Sequence, residues 1–243
     1  MIEAILFDLD GTIRLNEPRG SEVFADHAAS LGLRVRDDDR LRAFRWEHFY
    51  WANSPDLLAD RERAGADQGA FWAQYAHRQL VALGASSKQA AEMAPRMNEF
   101  MLNSFNPRSI VPGELPAVLR SLREAGIVLG VISNRSQPYR DELTELGLAE
   151  FFPYALASGD IQIWKPDPGV FQHACTQLQI PPDRAAYVGD NYFADVVGSR
   201  AAGLTPVLYD PRGIFDDPQC AVIASFTELP RALGIRLNSS ASV

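Results

Sequence analysis

Cysteine is nearly absent: Cys175 and Cys220 are the only two in 243 residues. Two widely separated cysteines form no disulfide framework and no zinc-type spacing, so both read as reduced, packed thiols. Excess positive charge is missing too. Lys and Arg number 23 against 31 Asp and Glu, a formal net charge of -8. That argues against nucleic acid or an anionic membrane as partner, although a local cation can still receive a small phosphorylated ligand. No run reaches the roughly 20 apolar residues of a membrane span. The opening Met1-Ile2-Glu3-Ala4 lacks a basic segment followed by a cleavable apolar one, so the expected setting is the cytoplasm. There are four histidines, and His27, His77 and His173 fall in helical patterns away from any motif. Apolar content of 47% and charged content of 22% are ordinary for a globular protein. Fraying is expected only in the polar tail 238–243.

What is present begins at once. Ala4-Ile5-Leu6-Phe7 reads as a buried strand, and Asp8-Leu9-Asp10-Gly11-Thr12 follows. Two acids two residues apart on extended backbone point to one face of a sheet. Gly11 then frees the chain to turn. The pair stands at the C-terminal tip of a strand, where open α/β sheets bind ligands. Two anions there stay ionised only beside a cation, or one of them holds a proton. Either a divalent-cation site or a nucleophile beside a general acid would satisfy them.

The texture then changes. Between about Ser21 and Ser104 no strand pattern occurs, and apolar residues recur at helical spacing. Ser21 is expected to cap a first helix ending at Gly32, and Asp37 or Asp38 a second through Tyr50. Asp67 caps a third ending at Gly84, and Ser87 opens a fourth through Met101, kinked or restarted at Pro95. Four such helices make a small bundle. From Ile110 onward helices and strands alternate. The strands are Ile127–Ile132, Tyr154–Ala157, Ala185–Val188 and, last, Thr205–Leu208. That alternation implies a parallel sheet with helices on both faces. A helical insertion after the first strand would sit over the acidic tip as a lid.

Right-handed crossovers bring every strand's C-terminal tip to one edge. The residues gathered there are Asp8 and Asp10, Ser133 and Asn134, Lys165 in Trp164-Lys165-Pro166-Asp167-Pro168, and Asp190 in Gly189-Asp190-Asn191 with Asp195 beyond it. Taken singly, each has an ordinary structural explanation: a turn, a solvated lysine, a helix cap. In this order, each after a strand, the set resembles the haloacid dehalogenase-like (HAD) hydrolase superfamily. The resemblance rests on Asp8-Leu9-Asp10-Gly11-Thr12, Ile132-Ser133-Asn134, Lys165-Pro166-Asp167-Pro168, and Gly189-Asp190 with Asp195 and Gly203.

The resemblance implies a Rossmann-like core from residues 1–16 and 108–237, with residues 17–107 as an inserted helical cap. It implies that Asp8 is the nucleophile that forms an aspartyl-phosphate, and that Asp10 is the general acid and base. Mg²⁺ would be held by Asp8, the Asp10 carbonyl and Asp190, with Asp195 orienting that shell. Phosphoryl oxygens would be held by Ser133, Thr12 and backbone amides near Leu9, Asp10 and Asn134. Lys165 would neutralise charge on Asp8 and the phosphate. In this scheme Asp8 is charged while Asp10 carries a proton.

The second acid favours phosphoryl chemistry, because a halide leaves without being protonated. The expected activity is Mg²⁺-dependent hydrolysis of a small phosphate monoester by a monomer or homodimer. A phosphomutase is the alternative. A 2-haloacid dehalogenase, or an interaction protein on an inherited core, ranks below both. Within the cap, Arg45, His48 or Tyr50 is expected to face the crevice. Arg19 and Arg135 are further candidates for a substrate's anionic group, although both read as surface residues.

Overall fold

The computed structural model describes residues 1–237; the expected tail, 238–243, lies outside them. In chain order the elements are β1 (Ala4–Phe7), β2 (Leu15–Glu17), α1 (Gly20–Ser30), α2 (Asp37–Trp51), α3 (Pro55–Ala64), α4 (Gln68–Ala82), α5 (Ser87–Ser104) and β3 (Arg108–Ile110). Then follow α6 (Leu115–Glu124), β4 (Val128–Ser133), α7 (Arg140–Glu145), β5 (Tyr154–Ala157), α8 (Ser158–Ile161), α9 (Pro168–Leu178) and β6 (Ala185–Gly189). A π-helical turn at Tyr192–Val196 leads into α10 (Val197–Ala201), and β7 (Thr205–Tyr209), β8 (Ala221–Ile223) and α11 (Leu229–Ala232) close the chain.

The chain divides into two compact units. One comprises Met1–Leu15 and the chain from Ser109, and the other is Asn16–Arg108. In the first, six parallel strands run in the order β5-β4-β1-β6-β7-β8. This is the expected doubly wound α/β core. All four residues of β1 are buried, as a central strand covered on both faces requires. Ile5 and Phe7 pack on one face with α6 and Phe226. Ala4 and Leu6 pack on the other with Val170 and Phe171 of α9 and with Tyr187. Leu6 pairs with Tyr187, and Phe7 with Val188 and Val131. By the two-residue alternation, Asp8 leaves β1 on the face of Leu6 and Tyr187. The described cysteines are free: Cys175 is packed beneath the sheet, and burial pushes its thiol up to about 11.

The second unit is a helical bundle with two apolar clusters of its own. It has five helices where four were expected. The extra one, α3, opens with Ser54 accepting from Leu57 N at 3.2 Å and with Pro55 in the first turn. Its sequence Pro-Asp-Leu-Leu-Ala-Asp-Arg-Glu-Arg-Ala has too few apolar residues to signal a buried face, and its burial rests on Leu57 and Asp60. Helix α5 does not restart at Pro95 but continues through it. Helix α5 opens at Ser87 as expected, with Ser86 as its side-chain cap, whereas Arg36 rather than Asp37 or Asp38 precedes α2, its backbone N–H donating to Asp39 Oδ2 at 3.0 Å. Two short elements were also unforeseen: the β2–β3 pair, and edge strand β8 beyond the strand expected to be last. With three residues each, they are too short to show alternation.

Candidate active site

The turn after β1 sets the geometry. Asp8 N donates to Val188 O at 2.8 Å, which continues the pairing of β1 with β6. Gly11 then adopts a φ of 91°. A side chain there would be strained, and its Cβ would collide with the Asp190 carboxylate. Glycine therefore lets the β1 turn lie against the tip of β6. Thr12 fixes that approach: its hydroxyl accepts from Asp190 N at 3.0 Å and donates to Asp190 Oδ1 at 3.2 Å. Thr12 is fully buried. Its hydroxyl is spent on Asp190, which corrects its expected place among the phosphate ligands.

Lys165, in the loop between α8 and α9, is 2% exposed. Its ammonium donates to Asp8 Oδ1 at 2.6 Å, to Asp195 Oδ1 at 2.7 Å and to the Tyr187 hydroxyl at 2.9 Å. Tyr187 in turn donates to Ile132 O at 2.9 Å. Asp195 Oδ2 accepts from Asn191 N at 2.9 Å. The Lys165 loop is fastened by Asn134. That amide donates to Lys165 O at 2.9 Å, while its oxygen accepts from Lys165 N at 2.7 Å and from the Ser158 hydroxyl at 3.1 Å. The Asn134 side chain is thus a brace between two strand-end loops, and the expectation that it touches phosphate extends at most to its backbone.

Asp8, Asp190 and Asp195 each offer a carboxylate oxygen within 4.8 Å of the others. One ammonium cannot balance three clustered carboxylates. Burial pushes Asp8 up to about 7, with Lys165 pulling it down and Asp195 pushing it further up. Burial likewise pushes Asp190 up to about 7, helped by the charge of Asp8, and it raises Asp195. Burial opposes the charge on Lys165, but Asp195 and Asp8 outweigh it and hold the ammonium well above its usual range. An all-oxygen cluster short of positive charge fits a hard divalent cation. The Asp10 carboxylate is outside this cluster.

Asp10 instead meets arginine. Arg135 grips it with both arms of its guanidinium, Nε to Oδ2 at 2.8 Å and Nη2 to Oδ1 at 2.7 Å. Arg14 approaches Oδ1 at 3.3 Å. Arg135 is therefore no free surface residue, and hydrogen bonding to Asp10 raises its already high pKa. In this arrangement both Asp10 oxygens accept from arginine. The missed signal was positional: Arg135 directly follows Ser133-Asn134 at the tip of β4.

Ser133 is buried at that tip, and its hydroxyl makes no hydrogen bond to the described residues. The backbone N–H groups of Leu9 and Asp10 also find no acceptor among them. These three donors are available to an anion. The Leu9 side chain itself is core.

In the helical unit, Tyr50 is fully buried in its own unit's aromatic cluster, and its hydroxyl donates to Asp60 Oδ2 at 3.1 Å. It is withdrawn as a candidate for the crevice, because desolvating the ring and pairing the hydroxyl use the whole side chain. Arg45 and His48 are half-buried on α2.

A doubly wound enzyme that gathers acids, a buried lysine and free amides at the C-terminal edge of its sheet is the class that this fold and site define. A family profile described as haloacid dehalogenase-like hydrolase matches residues 2–203. The chain belongs to that family, and it is a hydrolase. It is 31% identical over 90% of its length to a phosphoserine phosphatase of Thermus thermophilus, spanning 93% of that protein. A HAD phosphatase structure from Thermococcus onnurineus aligns at a TM-score of 0.58 and 25% identity, covering 98% of this chain and 100% of that one. A 2-haloacid dehalogenase structure from Pseudomonas syringae aligns at 0.55 and 27%, covering 96% and 99%. Among the described residues no helix is long and apolar enough to cross a membrane.

Proposed function

We propose that this chain is a Mg²⁺-dependent phosphatase that hydrolyses a small phosphorylated metabolite in the cytoplasm through an aspartyl-phosphate on Asp8. The observation that carries this reading is the Lys165 contact to Asp8 Oδ1. Held by one oxygen, Asp8 keeps the other for attack on phosphorus. Asp8, Asp190 and the Asp10 carbonyl are the groups that would hold Mg²⁺, which supplies positive charge beside a phosphoryl group and lets Asp8 and Asp190 stay ionised.

In the first step an Asp8 oxygen bonds to phosphorus and the ester P–O bond breaks. Asp10 gives a proton to the departing oxygen. Ser133 and the N–H groups of Leu9 and Asp10 hold the equatorial oxygens, at about 2.7–4 kcal/mol of transition-state stabilisation per donor. In the second step water attacks phosphorus, its proton passes to Asp10, and the electron pair returns to the Asp8 carboxylate. A halide would leave unprotonated, so the second acid favours phosphate esters over the 2-haloacids named for the Pseudomonas syringae neighbour. The phosphatase names among the relatives support the same reading. Which phosphate ester is used is assigned to the helical unit, with Arg45 and His48 as candidates.

The test is phosphate release from p-nitrophenyl phosphate, with and without Mg²⁺. Wild type should turn over only with Mg²⁺, and Asp8→Asn should fall by at least about 10³-fold, the scale on which removing a nucleophile acts. Equal rates in the two proteins would sink the proposal.

A further inference from the structure

The Asp10–Arg135 contact belongs to a closed ring of charges. Arg135 binds both Asp10 oxygens and also pairs with both oxygens of Glu142, through Nη1 to Oε2 and through Nη2 to Oε1 at 3.4 Å. Arg14 closes the circuit, with Nη1 to Asp10 Oδ1 at 3.3 Å and Nε to Glu142 Oε1 at 3.1 Å. Arg14 is steadied in turn by the Ser109 hydroxyl, which lies 3.0 Å from Nε and 2.7 Å from Nη2. The Arg135 guanidinium also lies over the Tyr139 ring, 5.8 Å from its centre. Tyr139 is itself fixed by donating to Val131 O at 3.2 Å and Leu156 O at 2.9 Å. Two carboxylates and two guanidinium groups balance each other, so the ring can persist whatever charge the neighbouring acids carry.

Stability does not account for this construction. The side chains of Asp10 and Arg135 are 41% and 29% exposed, and ion pairs so open to water add little to stability. What the ring does provide is orientation. A guanidinium fork bound to both carboxylate oxygens fixes the plane of the carboxylate, which a lysine cannot do.

We infer that Arg135, backed by Glu142, is a positioning residue: its two-armed grip fixes the plane of the Asp10 carboxyl group, so that an Asp10 oxygen faces the attacking water and can take its proton. This rests on the proposed acid–base role of Asp10. In the second step the water oxygen bonds to phosphorus, the bond from phosphorus to Asp8 breaks, and the water proton goes to an Asp10 oxygen. A base left free to rotate would accept that proton more slowly. Arg135 need not touch the reacting atoms.

The two steps can be separated with p-nitrophenyl phosphate, whose leaving group needs little help from an acid. With it kcat/KM reports formation of the aspartyl-phosphate, and turnover after the first cycle reports its hydrolysis. In Arg135→Lys and Arg135→Ala, kcat should fall about tenfold or more, a part of the roughly 10²–10⁴-fold that general base catalysis supplies. KM should fall in parallel, so that kcat/KM stays within about twofold, and a burst of one p-nitrophenolate per protein should emerge. Melting temperatures should stay within about 2 °C of wild type, since a half-exposed ion pair adds little to stability. A fall in kcat/KM matching that in kcat, with no burst, would overturn the inference. So would unchanged kcat, or a rise, which would make the ring a restraint on Asp10. Asp10→Asn is the control. If it lacks the burst and the selective loss of kcat, the reading of Asp10 has failed. If it shows both while the Arg135 variants match wild type, only the role of Arg135 has failed.

Discussion

Lys165 reaches only two of the three acids clustered at the strand tips, Asp8 and Asp195. Asp190 keeps just the Thr12 hydroxyl and its own backbone orientation. Its raised pKa, near 7 against an ordinary 3.8, makes stability depend on pH with a definite sign. An acid whose folded pKa is raised binds more protons folded than unfolded between those values. Without a divalent cation, stability from this group is therefore lost as pH rises from about 4 to about 7. Asp190→Asn removes that loss. In a chelator at pH 8 the variant should melt about 2–4 °C above wild type, the shift for ~1 kcal/mol in a chain of this size, and the gap should close towards pH 4. Saturating Mg²⁺ should raise the melting temperature of wild type and leave the variant nearly unmoved. A variant that melts below wild type at every pH would show that Asp190 is not under electrostatic strain.

Residue types and their order were enough to place Asp8, Lys165, Asp190 and Asp195. They could not show which acid would be gripped by arginine, because that depends on where Arg14, Arg135 and Glu142 point after three separate turns. Thr12 was misjudged for a related reason, and the bracing role of the Asn134 side chain went unforeseen. A hydroxyl or amide beside an anion site serves equally well as a ligand or as a brace, and only the partner atom distinguishes the two.

At the scale of elements, the strand tips are tied to one another rather than merely adjacent. Asn134 at the end of β4 makes three hydrogen bonds into the segment from Ser158 to Lys165. Asn134→Ala leaves the Lys165 backbone N–H and carbonyl without these partners. A loss of about 2–3 kcal/mol is expected in denaturant unfolding, the scale of unpaired buried polar groups. Turnover should fall as well, because the lysine is no longer aimed. Full activity with that stability loss would show that Lys165 is positioned by other means.

The buried strands were legible because apolar runs ending in polar residues survive any change in register. Helix α3 was not, since it buries only Leu57 and a carboxylate, Asp60, rather than an apolar stripe. Pro95 misled in the opposite direction. It removes one hydrogen bond, yet α5 buries Ala90, Ala94 and Met97 along one face, and that packing carries the helix past it.

At the scale of the molecule, a sheet with acids at its edge is interrupted after its first strand by a bundle with a core of its own. Asp60 anchors that bundle. Its side chain is fully buried and accepts from Arg78 at 2.7 and 3.1 Å and from Tyr50 at 3.1 Å. Asp60→Ala leaves Arg78 with Asp56 as its remaining partner at 2.9 Å and the buried Tyr50 hydroxyl without its acceptor, and it should cost about 3 kcal/mol, the lower end for a broken buried pair because Arg78 is partly exposed. The loss should appear in unfolding followed by tryptophan fluorescence, since Trp46, Trp51 and Trp72 lie in this unit. The overall negative charge is compatible with an anionic substrate because the local cations, Lys165, Arg135 and Arg14, sit at the sheet edge.

The proposed reaction turns on one covalent bond, between Asp8 and phosphorus. Asp10→Asn, reacted with p-nitrophenyl phosphate and Mg²⁺, should accumulate it. Quenching with borohydride reduces an acyl phosphate to an alcohol, so peptide mass spectrometry should find the Asp8 side chain converted to homoserine. That product should be absent without substrate and absent when Asp8→Asn is added to the same protein. Turnover with Asp8 unmodified and the label on another residue, or on none, would contradict the mechanism.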